Sequence, residues 1–124
     1  MSGDYLGSWM RMLAEGKPEV EEIKGEIPVT KSVEFDTPSI QRRVFDGTQK
    51  LWRFKNGYGA SVVQHLGSYG HEEGSWELAV LKFDNKGEWV LTYDTSITTD
   101  VIGHLSTSEV EEKLKEIRGL KHVV

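Results

Sequence analysis

Cysteine is absent from the 124 residues. That single absence excludes a disulfide framework, a thiolate zinc site, an iron–sulfur cluster and a cysteine nucleophile. No apolar run approaches the roughly 18 residues of a membrane span, and the first residues lack the basic-then-apolar pattern of a secretory signal. A cytoplasmic location is therefore the expectation. Basic surplus is also missing: 15 Lys plus Arg stand against 20 Asp plus Glu, a formal charge of −5. A domain that works by neutralising phosphates concentrates basic charge on one face, so this balance argues against a nucleic-acid binder. The 4 histidines, His65, His71, His104 and His122, fall in no HExxH, HxH or His/Cys zinc spacing. His71 with Glu72 and Glu73 reads as a solvated loop, and no metal is expected.

What is present is an ordinary share of apolar residues, enough for one modest core. From residue 49 onward the pattern is that of strands. Lys50 to Lys55 places Trp52 and Phe54 on one face, and Asn56-Gly57 follows as a hairpin signal. Tyr58 to Leu66 is a second run, in which Gly59 marks a bulge or a close backbone approach. Gly67 to Ser75 is a connection rich in glycine and charge, longer than an ordinary hairpin loop. Trp76 to Phe83 is apolar on both faces through Leu78, Ala79, Val80 and Leu81, the mark of a central strand covered on both sides. Trp76 and Trp89 are assigned to the core. Asp84 to Gly87 is a tight turn, and Glu88 to Tyr93 is a fourth strand. Short links between successive strands imply an antiparallel meander.

Thr98 or Thr99 can cap a short helical turn through Asp100, Val101 and Ile102, stopped near Gly103. Ser106 followed by Glu109 matches a capping box, and Val110, Leu114, Ile117 and Leu120 form an apolar stripe. The spacing predicts a helix from Thr107 to Arg118, with Glu109–Lys113 and Glu111–Lys115 as i,i+4 pairs. The first 48 residues hold all 3 prolines (Pro18, Pro28, Pro38) and a surplus of acid, 9 carboxylates against 6 cations. Leu6, Trp9, Met10 and Leu13 suggest one short amphipathic helix ended by Gly16 and Pro18. Val29, Val33 and Phe35, then Ile40, Val44 and Phe45, suggest one or two edge strands; a mobile arm is the alternative. The expected fold class is α+β: an antiparallel meander of four or more strands packed against a C-terminal helix. Residues 1–48 form an N-terminal arm, separate from or part of the same domain, and 49–124 form the core.

No catalytic constellation accompanies this frame. Ser61, Ser68 and Ser75 lack a nucleophile-elbow or triad context beside His65 or His71. Asn56 to Gly59 is too short for a phosphate loop, and Glu77, Asp84, Glu88 and Asp94 sit where turns and solvation explain them. The chain is not expected to be an enzyme or to hold a cofactor. Aromatic residues at turns are more informative, because Tyr58 and Tyr69 beside glycines suit a protein contact. Lys50, Arg53 and Lys55 beside Trp52 and Tyr58 are the sole support for a single-stranded nucleic-acid platform.

The stretches NGYGASVVQ, SYG, WELAVL and YDTSITTDVIGHL, in this order between Asn56 and Leu105, resemble a group of small uncharacterised proteins of bacteriophages and prophages. The first 48 residues lie outside the resemblance. It implies a phage gene product acting in the host bacterial cytoplasm and carries over no catalytic residue. In that setting the expected function is binding and modulation of a host protein, such as a defence or nucleic-acid-handling protein. Its contacts are placed on Glu19, Glu21, Glu22, Tyr58, Tyr69, Glu72 and Glu73, since acidic charge steers association with a basic site. The alternatives are a self-associating assembly protein, with a homodimer through edge strands or the arm, and a nucleic-acid-binding module.

Overall fold

A computed structural model describes residues 20–44, 47–64, 74–92, 95 and 101–121. Six strands and one helix follow in order: β1 (Ile40–Val44), β2 (Gly47–Arg53), β3 (Tyr58–Gln64), β4 (Trp76–Phe83), β5 (Trp89–Leu91), β6 (Ile102–Leu105) and α1 (Thr107–Arg118). The strands make one antiparallel sheet in the order β1-β2-β3-β4-β5, and β6 also pairs with β4. The α+β meander read from the sequence is thus present, enlarged by β1 at one edge and β6 at the other. Ile102, read as the end of a helical turn stopped near Gly103, instead opens strand β6. Pairing with Trp76 and Leu78 of β4 overrides the local capping signal there. Residues 98–100 and the helix expected before Gly16 lie outside the described residues.

The alternation of side chains sorts the core into two layers. Trp52, Ala60, Val62, Leu78 and Val80 face α1 and meet Val110, Leu114 and Ile117, each of these three fully buried. Burying three such side chains stabilises the helix by about 1.5–3 kcal/mol each, far more than intrinsic propensity supplies. On the opposite face Leu51, Val63, Ala79 and Leu81 are covered by Val20, Ile23 and Ile27 of the segment before β1. β4 is accordingly buried through most of its length, as its two-faced apolar run requires.

Residues 20–39 wrap the sheet without joining it as a full strand. The Glu21 amide donates to the Arg43 carbonyl at 2.9 Å, and the Thr30 amide donates to the Arg53 carbonyl at 2.8 Å. The segment then reaches the helix side, where the Phe35 amide donates to Glu111 Oε2 at 2.7 Å and the Phe35 carbonyl accepts from Lys50 Nζ at 3.2 Å. Phe35 stacks edge-on against Trp76, with centroids 4.9 Å apart. Val33 and Phe35 are therefore packing residues of a strap and not a strand. Trp76 and Trp89 are half-buried at the margins of the core; among the described residues the fully buried tryptophan is Trp52.

Two hairpins share one construction. Gly57 donates its amide to Phe54 at 3.1 Å and Phe54 donates to Tyr58 at 2.8 Å; Gly87 to Asp84 and Asp84 to Glu88 repeat the pattern at 3.0 and 2.8 Å. Gly57 and Gly87 take φ of +88° and +83°, while His104 alone among the described non-glycine residues has positive φ. Each loop is thus a three-residue connection ending in a left-handed glycine, not the two-residue turn with two positive φ values. Asn56 is not among the residues with positive φ.

On α1 the Ser106–Glu109 capping box is complete. The expected i,i+4 ion pairs are replaced by Lys113–Glu116 at 3.5 Å and Lys115–Glu112 at 3.3 Å. Glu109 is committed to the Ser106 amide and Glu111 to the Phe35 amide, so neither is left for its lysine.

Candidate functional site at the sheet edge

β4 presents its outer edge to two strands in succession. Its C-terminal half pairs with β5 (Leu81 with Leu91, Phe83 with Trp89) and its N-terminal half with β6 (Leu78 with Ile102, Trp76 with Leu105). The Thr92 amide donates to the Val80 carbonyl at 3.0 Å, which places Thr92 beside Val80. β5 and β6 thus cover the outer edge of β4 in turn. In the β6 ladder three steps along β6 match two along β4, and the bulge contains His104 at φ 62°. A non-glycine residue in that region costs about 1 kcal/mol or more.

The direction of β5's backbone follows from these bonds. Thr92 and Glu88 turn inward to β4, so Trp89 and Leu91 turn their N–H and C=O groups outward. Among the described residues nothing pairs with them. Their side chains lie half-buried on the strap face, against the cluster of Ile27, Leu51, Leu81 and Phe83. Val90 projects from the other face beyond the reach of α1 and is 63% exposed. Trp89, Val90 and Leu91 therefore form an open apolar edge, the arrangement that templates pairing with another extended chain.

The residues singled out from the sequence are placed elsewhere. Glu21 and Glu22 are exposed at the β1 edge and line a groove of about 420 Å³ with Ile23, Lys24, Ile40, Gln41 and Arg42. Glu21 is also a fastener: its Oε1 accepts from the Arg43 amide at 2.9 Å and its carbonyl from Arg42 Nη1 at 3.0 Å. Tyr58 is half-buried against the helix-side core, opposite Lys82, and does not adjoin Glu21 or Glu22. Glu19, Tyr69, Glu72 and Glu73 lie outside the described residues. The basic-aromatic platform is not assembled, because Trp52 is fully buried and Lys50 lies over the Phe35 ring. Arg53, on the opposite face from Lys50, donates to the Ile27 carbonyl and lies over Phe83.

Sequence reasoning missed a buried polar row on the strap face. Arg42 Nε donates to Gln49 Oε1 at 2.6 Å, and Gln49 Nε2 donates to Ser61 Oγ at 2.8 Å, with all three residues buried. Burial pushes the Arg42 guanidinium down to about 10, partly offset by the charge of Glu21, so it stays charged at neutral pH. Glu77 is buried on the same face of β4. No local pattern distinguishes these residues from solvent-facing ones, since only the strap makes that face interior. Among the described residues no three His, Asp or Glu side chains gather as a metal cage, and no helix is long and apolar enough to cross a membrane. Comparison with protein-family models, with curated proteins and with solved structures finds no match.

Proposed function

We propose that this protein acts by binding another polypeptide, which adds as a strand to β5. The observation that carries the reading is the outward backbone of Trp89 and Leu91 flanking the exposed Val90. Main-chain pairing would supply affinity, and the alternation of Val90 on one face with Trp89 and Leu91 on the other would supply specificity. Both broad faces of the sheet are occupied by α1 and the strap, so backbone valence is left at the sheet edges among the described residues, and at β5 it is flanked by apolar side chains. The phage resemblance supplies the setting: an accessory protein that engages a host protein in the bacterial cytoplasm.

A second reading, self-association, is favoured by one feature of the register. Two copies of β5 related by a two-fold at Val90 would set Trp89 of each opposite Leu91 of the other, in hydrogen-bonded positions. Amide exchange at Trp89 and Leu91, followed against protein concentration and against added host fractions, separates the readings. Binding predicts protection of these amides on adding a host protein, lost in Val90→Lys and retained in Glu22→Lys. Protection that rises with the protein's own concentration assigns the edge to a homodimer. Loss of binding in Glu22→Lys with none in Val90→Lys would move the contact to the acidic β1 edge and overturn the proposal.

A further inference from the structure

Asn56 holds two elements that are far apart in sequence. Its Nδ2 lies 2.9, 3.1 and 3.0 Å from the carbonyl oxygens of Ile117, Arg118 and Leu120, at the C-terminal end of α1. Its Oδ1 accepts from the Tyr58 amide at 3.0 Å. Three carbonyls require a donor at that position, which fixes the orientation of the side-chain amide. The β2–β3 hairpin thereby satisfies carbonyls that a helix end otherwise leaves open, as a C-terminal cap supplied from another element.

The residue that follows is Gly57, and Asn-Gly is the sequence whose side-chain amide is most open to attack by the next backbone nitrogen. In that reaction the Gly57 nitrogen bonds to Asn56 Cγ, the Cγ–Nδ2 bond breaks and ammonia leaves with the proton given up by the amide. Water then opens the resulting cyclic imide to aspartate or isoaspartate. In the folded chain both participants are held: the Gly57 N–H is donated to the Phe54 carbonyl, and Nδ2 is held against three carbonyls. The product would be a carboxylate with no hydrogen to donate. It would face three carbonyl oxygens at the negative end of the helix dipole, which repels it.

We propose that Asn56 is a deamidation site gated by docking of the α1 C-terminus, and that its conversion releases that end of the helix from the hairpin irreversibly. The reaction requires local opening at residues 117–120, so its rate reports how often that end detaches. It is independent of any role of the β5 edge.

The test is peptide mapping of Asn, Asp and isoaspartate at position 56 during incubation in mildly alkaline buffer. Native protein, urea-unfolded protein and a Leu120→Ser variant, which weakens the docking contact of half-buried Leu120, are compared. Conversion is expected to be at least about tenfold slower in native than in unfolded protein, with Leu120→Ser between them. In Asn56→Asp, amide exchange should accelerate across 114–121 while β4 amides are unchanged. Equal rates in native and unfolded protein would overturn the gating. Unchanged exchange at the helix end in a folded Asn56→Asp would overturn the release; if that variant does not fold, Asn56→Ser, which cannot reach all three carbonyls, serves for the same readout.

Discussion

Replacing Gly59 by alanine puts a methyl group where two strands leave no room. A Cβ on Gly59 would lie 2.0 Å from the Trp52 carbonyl oxygen and 2.7 Å from Phe83 Cε1. Comfortable contacts of a methyl carbon begin at roughly 3.5 Å, so the shortfall is roughly 0.8 Å at Phe83 and more than about 1 Å at the Trp52 carbonyl. The Phe83 ring can rotate, although Arg53 lies over it. The Trp52 carbonyl cannot, because Trp52 is fully buried within β2 and registered against Ala60 of β3. Overpacking that side chains can absorb costs about 1–3 kcal/mol. Here backbone must separate from backbone, and we expect a loss of at least about 3 kcal/mol out of a total of about 5–15 kcal/mol. With a urea dependence of about 2 kcal/mol per M for a domain of this size, the midpoint falls by about 1.5 M or more. Gly25→Ala is the control. Gly25 has φ +78° but nothing within 4 Å, so only conformational strain of about 1 kcal/mol is added. The two variants are compared by urea titration of tryptophan fluorescence and far-ultraviolet circular dichroism. A midpoint for Gly59→Ala equal to that of Gly25→Ala would refute the steric argument.

Three further outcomes follow from the same geometry. Gln49→Leu strands the Arg42 and Ser61 groups it now pairs and should cost about 1–3 kcal/mol, whereas Arg42→Met combined with Gln49→Leu should recover part of that loss, measured as a double-mutant cycle by chemical denaturation. Ser106→Ala should cost about 1 kcal/mol, while Glu109→Gln should remove a pH dependence. The Glu109 carboxyl lies below its ordinary value of 4.5 because it accepts from Ser106. Its contribution is therefore complete above that value and is lost as pH falls through the lower folded-state value, a loss visible in acid titrations of thermal stability for the parent, retained in part in Ser106→Ala, which keeps the backbone donor, and absent in Glu109→Gln. At the β6 bulge, His104→Gly should be at least as stable as the parent and His104→Val less stable than both, by about 1 kcal/mol or more relative to glycine, in thermal melts.

Local signals made part of the candidate region legible. The Trp76–Phe83 run announced a strand covered on both faces, and the Asp84–Gly87 turn announced the return into β5. Whether Val90 would be covered depends on where α1 lies across the sheet, which no local pattern encodes. Glu21 illustrates the opposite limit. Its charge suggested a contact for a partner; that its backbone and carboxylate also fasten β1 was not legible, because it depends on an edge strand offering unpaired groups to a neighbouring segment.

Periodicity, capping and turn chemistry act over a few residues, and they determined the central strands, both hairpin sites and the helix Thr107–Arg118 with its cap. Tertiary structure decided what those elements do to one another. It drew residues 20–27 over the second sheet face, buried Arg42, Gln49 and Ser61, and made Ile102, expected to end a helical turn, the start of an edge strand. It also aimed Asn56 at a helix end some sixty residues downstream. Each of these depends on burial or pairing between segments distant in the chain, where the free energy of a buried face or a satisfied backbone group exceeds the few tenths of a kcal/mol of local preference.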